Sequence, residues 1–496
     1  MRSTSALLRR HAALVALVAV AAALRVLALV AVYPGIWFSD GNNFVETAAT
    51  GRLSPMRVTG YSLYVAPFWR GGSAAALIVS QHVLGLAMVV LLYALLVRRG
   101  VKRLLALLAV VPLALDAYLI QIEHTIMSET IFHAALVGAL AVLLWKDRPG
   151  LTGTAVAGVL LGYAGAVRSV AVPLVVVFLL YLLVRRVGWR RVAAFAVGWS
   201  LVVGGYATVY KVQHGVFGMT QYGAHFLYGR TAPFADCSRL AGLPANERYL
   251  CPDPTEPMTT NRAMWGEKSP IRERPLSENG AIRDFALRVI RDQPLTYARI
   301  VALDFLHYFE PGHRIGPNDP QIVQWQFPAD PNSWGSPGEH SDPNHPGVTG
   351  YRGPIRPADT PPKSPFDPNR YVSRMVDEPH TNVAASRFLH GYQRFAFTSG
   401  LVLGICLLVV LLAVLSRRGA ARLRLDAALI ATSVVVMLLV SAALSVFSYR
   451  YGLVAAVLLP AAAALATTAL TTARGPSDES RGVDPVEPAV PSRTVT

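Results

Sequence analysis

The chain has 496 residues, of which 53% are hydrophobic and 15% charged, with a mean hydropathy of +0.39 and a formal net charge of +16. Soluble domains carry about a quarter charged residues, so the composition excludes a soluble globular protein and points to one embedded in a membrane. The positive charge is no nucleic-acid footprint, because Lys and Arg recur as short clusters flanking apolar runs.

Those clusters are Arg9-Arg10, Arg98-Arg99 with Lys102-Arg103, Lys146 with Arg148, Arg185-Arg186 with Arg190-Arg191, and Arg417-Arg418 with Arg422 and Arg424. A span needs about 20 predominantly apolar residues, and spans are predicted near 11–33, 75–97, 103–120, 128–145, 151–167, 170–185, 192–211, 393–416, 425–446 and 451–472. Ten spans put every basic cluster on the cytoplasmic side, together with both termini. The first apolar run, from about Ala12 to Val32, is longer than the 7–15 residues of a typical signal h-region, so it is read as a retained span. Arg25 inside it must snorkel or face the bundle.

The predicted fold is therefore an all-α polytopic membrane protein of about ten transmembrane helices, with an extracytoplasmic domain inserted between spans seven and eight. Residues 1–211 form the first transmembrane module, with an external loop at 34–74. Residues 212–390 form the inserted domain, 391–472 the second module and 473–496 a disordered cytoplasmic tail. Within the insert, the apolar spacing over 281–309 predicts two helices broken at Gln293-Pro294. The stretch 311–379 is rich in Pro, Gly, Asp and Asn and predicts no regular structure. Cys237 and Cys251, fourteen apart in this external region, are expected to form one disulfide, whereas Cys406 lies in an apolar run.

The unusual polar residues gather on the external side. Asp40, in Trp37-Phe38-Ser39-Asp40-Gly41-Asn42-Asn43-Phe44, sits at the mouth of the first span, where a charge must stay solvated, pair or work. The following stretch, Asn43 through Ala49, suits a short helix along the membrane surface, anchored by Trp37, Phe38 and Tyr61. Arg57 is near enough in sequence to hold a phosphate beside that carboxylate. The second loop holds Glu123-His124, and Ser128 caps the fourth span with Glu129 in its first turn, where the helix dipole favours an anion. Arg168 and Arg450 are external arginines against the cytoplasmic bias. They either pair with Asp40 or Glu129 or form a cationic pocket for phosphate, which Lys211 and His214 could join. There is no Walker A pattern, dinucleotide-binding glycine pattern, H-E-x-x-H or paired C-x-x-C.

The order of Asp40, Arg57 before Gly60-Tyr61, Ser128-Glu129, Arg168 in a Val-Arg-Ser turn and Tyr449-Arg450-Tyr451 resembles the GT-C glycosyltransferases. The likeness is to the branch of aminoarabinose transferases and protein O-mannosyltransferases, and to its actinobacterial members. Asp292-Gln293-Pro294-Leu295-Thr296-Tyr297 also looks like the helical stretch before the later spans of such proteins. The resemblance implies a plasma-membrane enzyme that moves a sugar from a polyprenyl-phosphate donor to a lipid, glycan or protein acceptor on the extracytoplasmic face. Asp40 would then deprotonate or orient the acceptor with Glu129 assisting. Arg57, Arg168, Arg450 and Lys211 would hold the lipid phosphate. Asn43, Phe44, Tyr61, Glu123, His124 and Tyr449 would contribute to the substrate pocket. Membrane lipids are the other partner, and nucleic acid is not one. No cofactor is fixed, though external acids can take a divalent cation. Two departures stand out: Gly41 follows Asp40 where some relatives have a second acid, and Phe44 stands where an acceptor-side tyrosine is common. The alternatives are a transporter or flippase of lipid-linked sugars, which lacks the expected inverted repeat, and a non-catalytic scaffold.

Overall fold

The computed structural model describes residues 10–38, 40–240, 242–253, 255, 258–266, 268–272, 274–312, 325–333, 352–354, 374–375, 377–416 and 419–472. The expectations for the tail, for Arg417-Arg418 and for most of 311–379 fall outside these residues.

The described chain is mostly helical. Five helices are long and apolar enough to cross a membrane: α1 (Ala12–Ala31), α4 (Ala74–Arg98), α10 (Trp189–His214), α17 (Ala421–Leu444) and α18 (Tyr449–Thr471). Four shorter apolar helices accompany them: α7 (Glu129–Leu144), α8 (Leu151–Val167), α9 (Leu174–Val184) and α16 (Gly400–Ser416). The segment expected as one span near 103–120 is instead α5 (Arg103–Leu115) and α6 (Ala117–Glu123), bent by 53°. Asp116 causes the break. Its side chain accepts from the backbone N–H of Tyr118 at 2.9 Å, capping α6, and from the N–H and hydroxyl of Thr398 at 2.7 Å each. The segment expected as 393–416 is helical only from Gly400, as α16, and a separate helix α15 (Val383–Gln393) ends where that span was expected to begin.

The helix α18 is the hub. Nearly all of its residues from Leu453 to Ala469 are buried, in one core with α4, α5, α7 and α17. By contrast α10 turns Val197, Leu201, Val209 and Val212 outward. That apolar face has no cost in hydrocarbon and a large one in water.

The short helices α2 (Asp40–Thr50) and α3 (Tyr61–Gly71) come between α1 and α4 in the chain, and α11 (Gly223–Thr231), α12 (Thr260–Trp265), α13 (Asn279–Asp292) and α14 (Pro294–His307) between α10 and α15. The last two break at Gln293, with Pro294 at the first helical position, where a missing N–H is tolerated. Tyr228, Leu250, Ile282, Phe285 and Val289 form a separate small core, and the bond between Cys237 and Cys251 lies beside it.

The insert does not stand apart from the bundle. Tyr297 donates to the carbonyl of Ala443 at 2.9 Å, and Asp304, held within the insert by Arg230, accepts from the N–H of Phe447 at 3.3 Å. Four short strands, absent from the expected all-α fold, tie it to the stretch that follows α1. Strand β1 (Val32–Tyr33) pairs antiparallel with β4 (His380–Thr381), and β2 (Ile36–Phe38) with β3 (Arg352–Pro354). Phe327, Ala385 and Leu389 pack on Ala28, Ala31 and Ile120 beneath them. The insert therefore covers the end of the bundle where Asp40 lies.

Candidate functional site at one end of the bundle

Four helix ends bring the charged residues together. Asp40 opens α2 directly after β2, Glu129 opens α7, and Arg450 lies in the first turn of α18. Arg168 follows the last residue of α8. The loop carrying Arg57 is drawn against that end by Gly60, whose N–H donates to the carbonyl of Ala166 at 2.9 Å. A Cβ on Gly60 would come within 2.6 Å of that backbone, so only glycine allows the approach.

The result is one continuous ion network. Asp40 pairs with Arg57 at 2.8 Å and with Arg450 at 3.0 Å. Arg450 also approaches Glu129 at 3.5 Å, and Glu129 pairs closely with Arg168. Aromatic faces wall the guanidiniums: Arg450 lies over Trp325 at 5.0 Å, Tyr451 at 5.1 Å and Phe38 at 5.9 Å, and Arg168 over Tyr451 and Phe132. Such contacts hold a cation while shielding it from water. Three arginines against two carboxylates leave the group one positive charge in excess.

Burial pushes the Asp40 carboxyl up, but Arg57 and Arg450 outweigh it and hold the group below its ordinary value. It is ionised at neutral pH and, so paired, a weak base. Oε2 of Glu129 and Nε of Arg57 are buried with no hydrogen-bond partner among the described residues. The cavity beside Glu129, lined by Arg168, Arg450, Tyr451, Met437 and Ser441 among others, is about 10 Å³ and too small for a sugar. The arginines are thus closed onto the acids, and an anion entering must displace carboxylates.

Of the residues singled out by sequence, Asp40, Glu129, Arg57, Arg168 and Arg450 come together. The others do not join them. Asn43 accepts from the hydroxyl of Ser54 at 2.8 Å and braces the loop leading to Arg57. Phe44 is buried edge-on against Tyr61, ring centres 5.0 Å apart, and Tyr61 donates to Gln81 at 2.6 Å. Both are packing residues where α2 meets α3. Lys211 is exposed on α10 and makes no ion pair among the described residues, while its neighbours Gln213 and His214 bond the backbone of Leu53.

Glu123 and His124 turn inward, away from the acids. Glu123 takes two hydrogen bonds from Arg25, at 2.7 and 2.8 Å, and contacts His82 at 3.1 Å. His124 bridges His82 and the carbonyl of Val32. Arg25 therefore faces the bundle interior. A Cβ on Gly85 would lie 2.1 Å from the Glu123 carboxylate, so the helix has a gap where that carboxylate fits. Tyr449 packs on Tyr118 and lines a separate cavity of about 30 Å³ with Asp116, His307 and Tyr308.

Trp325 was not legible as a site residue, since it comes from the insert, in a stretch without periodicity. No group of three His, Cys, Asp or Glu side chains among the described residues is arranged to hold a metal ion. Comparison with family models, with curated proteins and with solved structures finds no match to this chain.

Proposed function

We propose that the protein is an integral membrane glycosyltransferase that moves a sugar from a polyprenyl-phosphate donor to a hydroxyl acceptor at the extracytoplasmic face. In this reading the chain crosses the plasma membrane ten times, counting α5 with α6 as one bent span and the four shorter apolar helices as spans. The observation that carries it is the ion network: three arginines and two carboxylates, closed on one another at one end of an apolar bundle and walled by aromatic rings. Arginine forks suit a phosphate, and a position at the end of the bundle suits a ligand whose chain lies in lipid.

The chemistry follows from those residues. The acceptor oxygen attacks the anomeric carbon, the bond from that carbon to the phosphate oxygen breaks, and the lipid phosphate leaves with the electron pair. Asp40 takes the acceptor proton. Arg57, Arg168 and Arg450 neutralise the charge gathering on the leaving phosphate, the kind of stabilisation that contributes most when donors are held in place before reaction. Glu129 holds Arg168 and Arg450 in position.

The test is turnover by purified protein with a panel of labelled polyprenyl-phosphate hexoses and pentoses. Acceptor-dependent release of lipid phosphate is expected, falling at least about 100-fold in Asp40→Asn. Full activity in that variant rules out Asp40 as base. Movement of the donor across vesicles with no bond broken replaces the enzyme with a flippase.

A further inference from the structure

A second charged site lies at the other end of the helices. The helix α7 runs from Glu129 to Leu144, about 24 Å at 1.5 Å per residue, and just beyond it opens a cleft of about 930 Å³. Arg148, Arg185, Arg186, Arg191 and Arg422 line it, against one acid, Asp147. Positive charge in cytoplasmic loops is ordinary. Five arginines converging on one concave space are not explained by that bias.

The site is built around the buried Asp426. Its carboxylate accepts from Tyr181 at 2.6 Å and from Arg185 at 3.1 Å, and pairs closely with Arg99. Arg99 also reaches Asp147 at 2.8 Å, and Arg422 reaches it at 2.5 Å. These acids fix Arg185 and Arg422 in place without balancing the charge: six arginines and two acids leave an excess of four. Arg148, Arg186 and Arg191 have no carboxylate partner among the described residues. The buried Nε atoms of Arg99 and Arg422 have no hydrogen-bond partner among them either.

Arg186 carries the argument further. It sits just past the end of α9 at φ 48°, in the left-handed region, and the N–H of Val187 closes the turn onto the carbonyl of Leu182. Helices commonly place glycine there, because a Cβ is unfavourable in that conformation. Here the position carries a long cationic side chain into the cleft. The surroundings are those of a bilayer edge: Leu180, Leu183 and Val184 of α9 are exposed, and Trp189 at the start of α10 is 76% exposed. Tryptophan collects at the headgroup level, and basic pockets between membrane helices hold anionic headgroups.

We propose that this cleft binds the headgroup of an anionic phospholipid, its phosphate taken by Arg186, Arg191 and Arg422 while the acyl chains lie along the exposed face of α9. The inference does not depend on the function of the Asp40 site.

The test uses the full-length protein in detergent, with dioleoylphosphatidylglycerol, dioleoylphosphatidylcholine and inorganic phosphate as separate probes. Retention is read by native mass spectrometry and stabilisation by thermal unfolding. Phosphatidylglycerol should be retained over phosphatidylcholine and should raise the unfolding temperature. Arg186→Gly should weaken its binding about fivefold, and Arg186→Gly with Arg191→Gln about 25-fold. Glycine suits the left-handed position, so Arg186→Gly without lipid should unfold at the wild-type temperature or above, which separates lost binding from a damaged fold. Equal retention of the two lipids, or undiminished phosphatidylglycerol binding in the double variant, overturns the proposal. Equal stabilisation by inorganic phosphate at the same concentration also overturns it, by assigning the cleft to a free anion.

Discussion

Arg450 is the residue that joins the two carboxylates, so its removal asks most of the proposed site. With three arginines and two acids the network carries one excess positive charge. Arg450→Met reduces that excess to none. Asp40 retains Arg57 at 2.8 Å and Glu129 retains Arg168, so neither acid is stranded. The fold should then survive, because the large penalty for breaking a buried pair comes from an uncompensated charge. What is lost is one charge-assisted contact to an incoming phosphate, worth about 1.5–3 kcal/mol. That is about 10- to 150-fold in affinity, at 1.4 kcal/mol per tenfold. Arg450→Lys keeps the charge but not the fork that spans both carboxylates, and should lose about tenfold. The assay is binding of a fifteen-carbon prenyl phosphate to purified protein, with thermal unfolding as the control for folding. Wild-type affinity in a folded Arg450→Met protein refutes the assignment of this network to phosphate.

Asp40→Asn should act in the opposite sense on binding. It frees Arg57 and Arg450, so the same prenyl phosphate should bind at least as tightly as to wild type even though turnover is lost. Weaker binding would make Asp40 a structural anchor. Its depressed pKa also fixes a pH dependence. The stabilisation from the ionised carboxylate is present above the unfolded value near 3.8 and lost as pH falls through the lower folded value. The difference in unfolding temperature between wild type and Asp40→Asn should be flat from pH 5 to 8 and shrink below about pH 4. Arg25→Met strands Glu123, whose side chain is 3% exposed, and should cost about 3–5 kcal/mol. Adding Glu123→Gln should recover part of it, and strictly additive losses in thermal unfolding would mean that the pair is not coupled. Cys251→Ser opens a loop of about 15 residues, worth about 3 kcal/mol. Limited proteolysis should then cut within 237–251 while α17 and α18 stay intact, and cleavage unchanged from wild type would show that the bond is dispensable.

Membrane embedding was legible because apolar runs of about 20 residues admit few other readings, and the break at Gln293-Pro294 because proline has no N–H for the helix interior. The division of α5 from α6 was not legible, since it depends on Asp116 finding Thr398, 282 residues away. The charged residues of the site were readable as types and by their position beside helix ends. That Arg168 and Arg450 would pair with Asp40 or Glu129 was one of two readings the sequence left open; which arginine meets which acid, and that Arg57 joins Asp40, is set by tertiary contacts. Glu123 and His124 lie six and five residues before Glu129, yet the turn between α6 and α7 sends them to Arg25 and His82, and nothing local announces that the partners lie on α1 and α4. The walls of the site were hidden for the same reason: Trp325 is 125 residues from the arginine it covers.

The ion pairs that make the network visible also restrain it. A carboxylate held by two guanidiniums is depressed in basicity, which is the wrong condition for a base. A phosphate that draws Arg57 and Arg450 to itself removes the two charges that lower Asp40, while the burial that raises it remains. The proposed base would therefore strengthen only when a donor occupies the site, and water reaching the empty site would meet a weak one. This coupling predicts that a prenyl phosphate shifts the Asp40 titration upward. In the folded protein, a carboxylate band assigned to Asp40 by its loss in Asp40→Asn should protonate at higher pH with the ligand than without it. A titration unmoved by saturating prenyl phosphate would mean that the arginines never leave the acid.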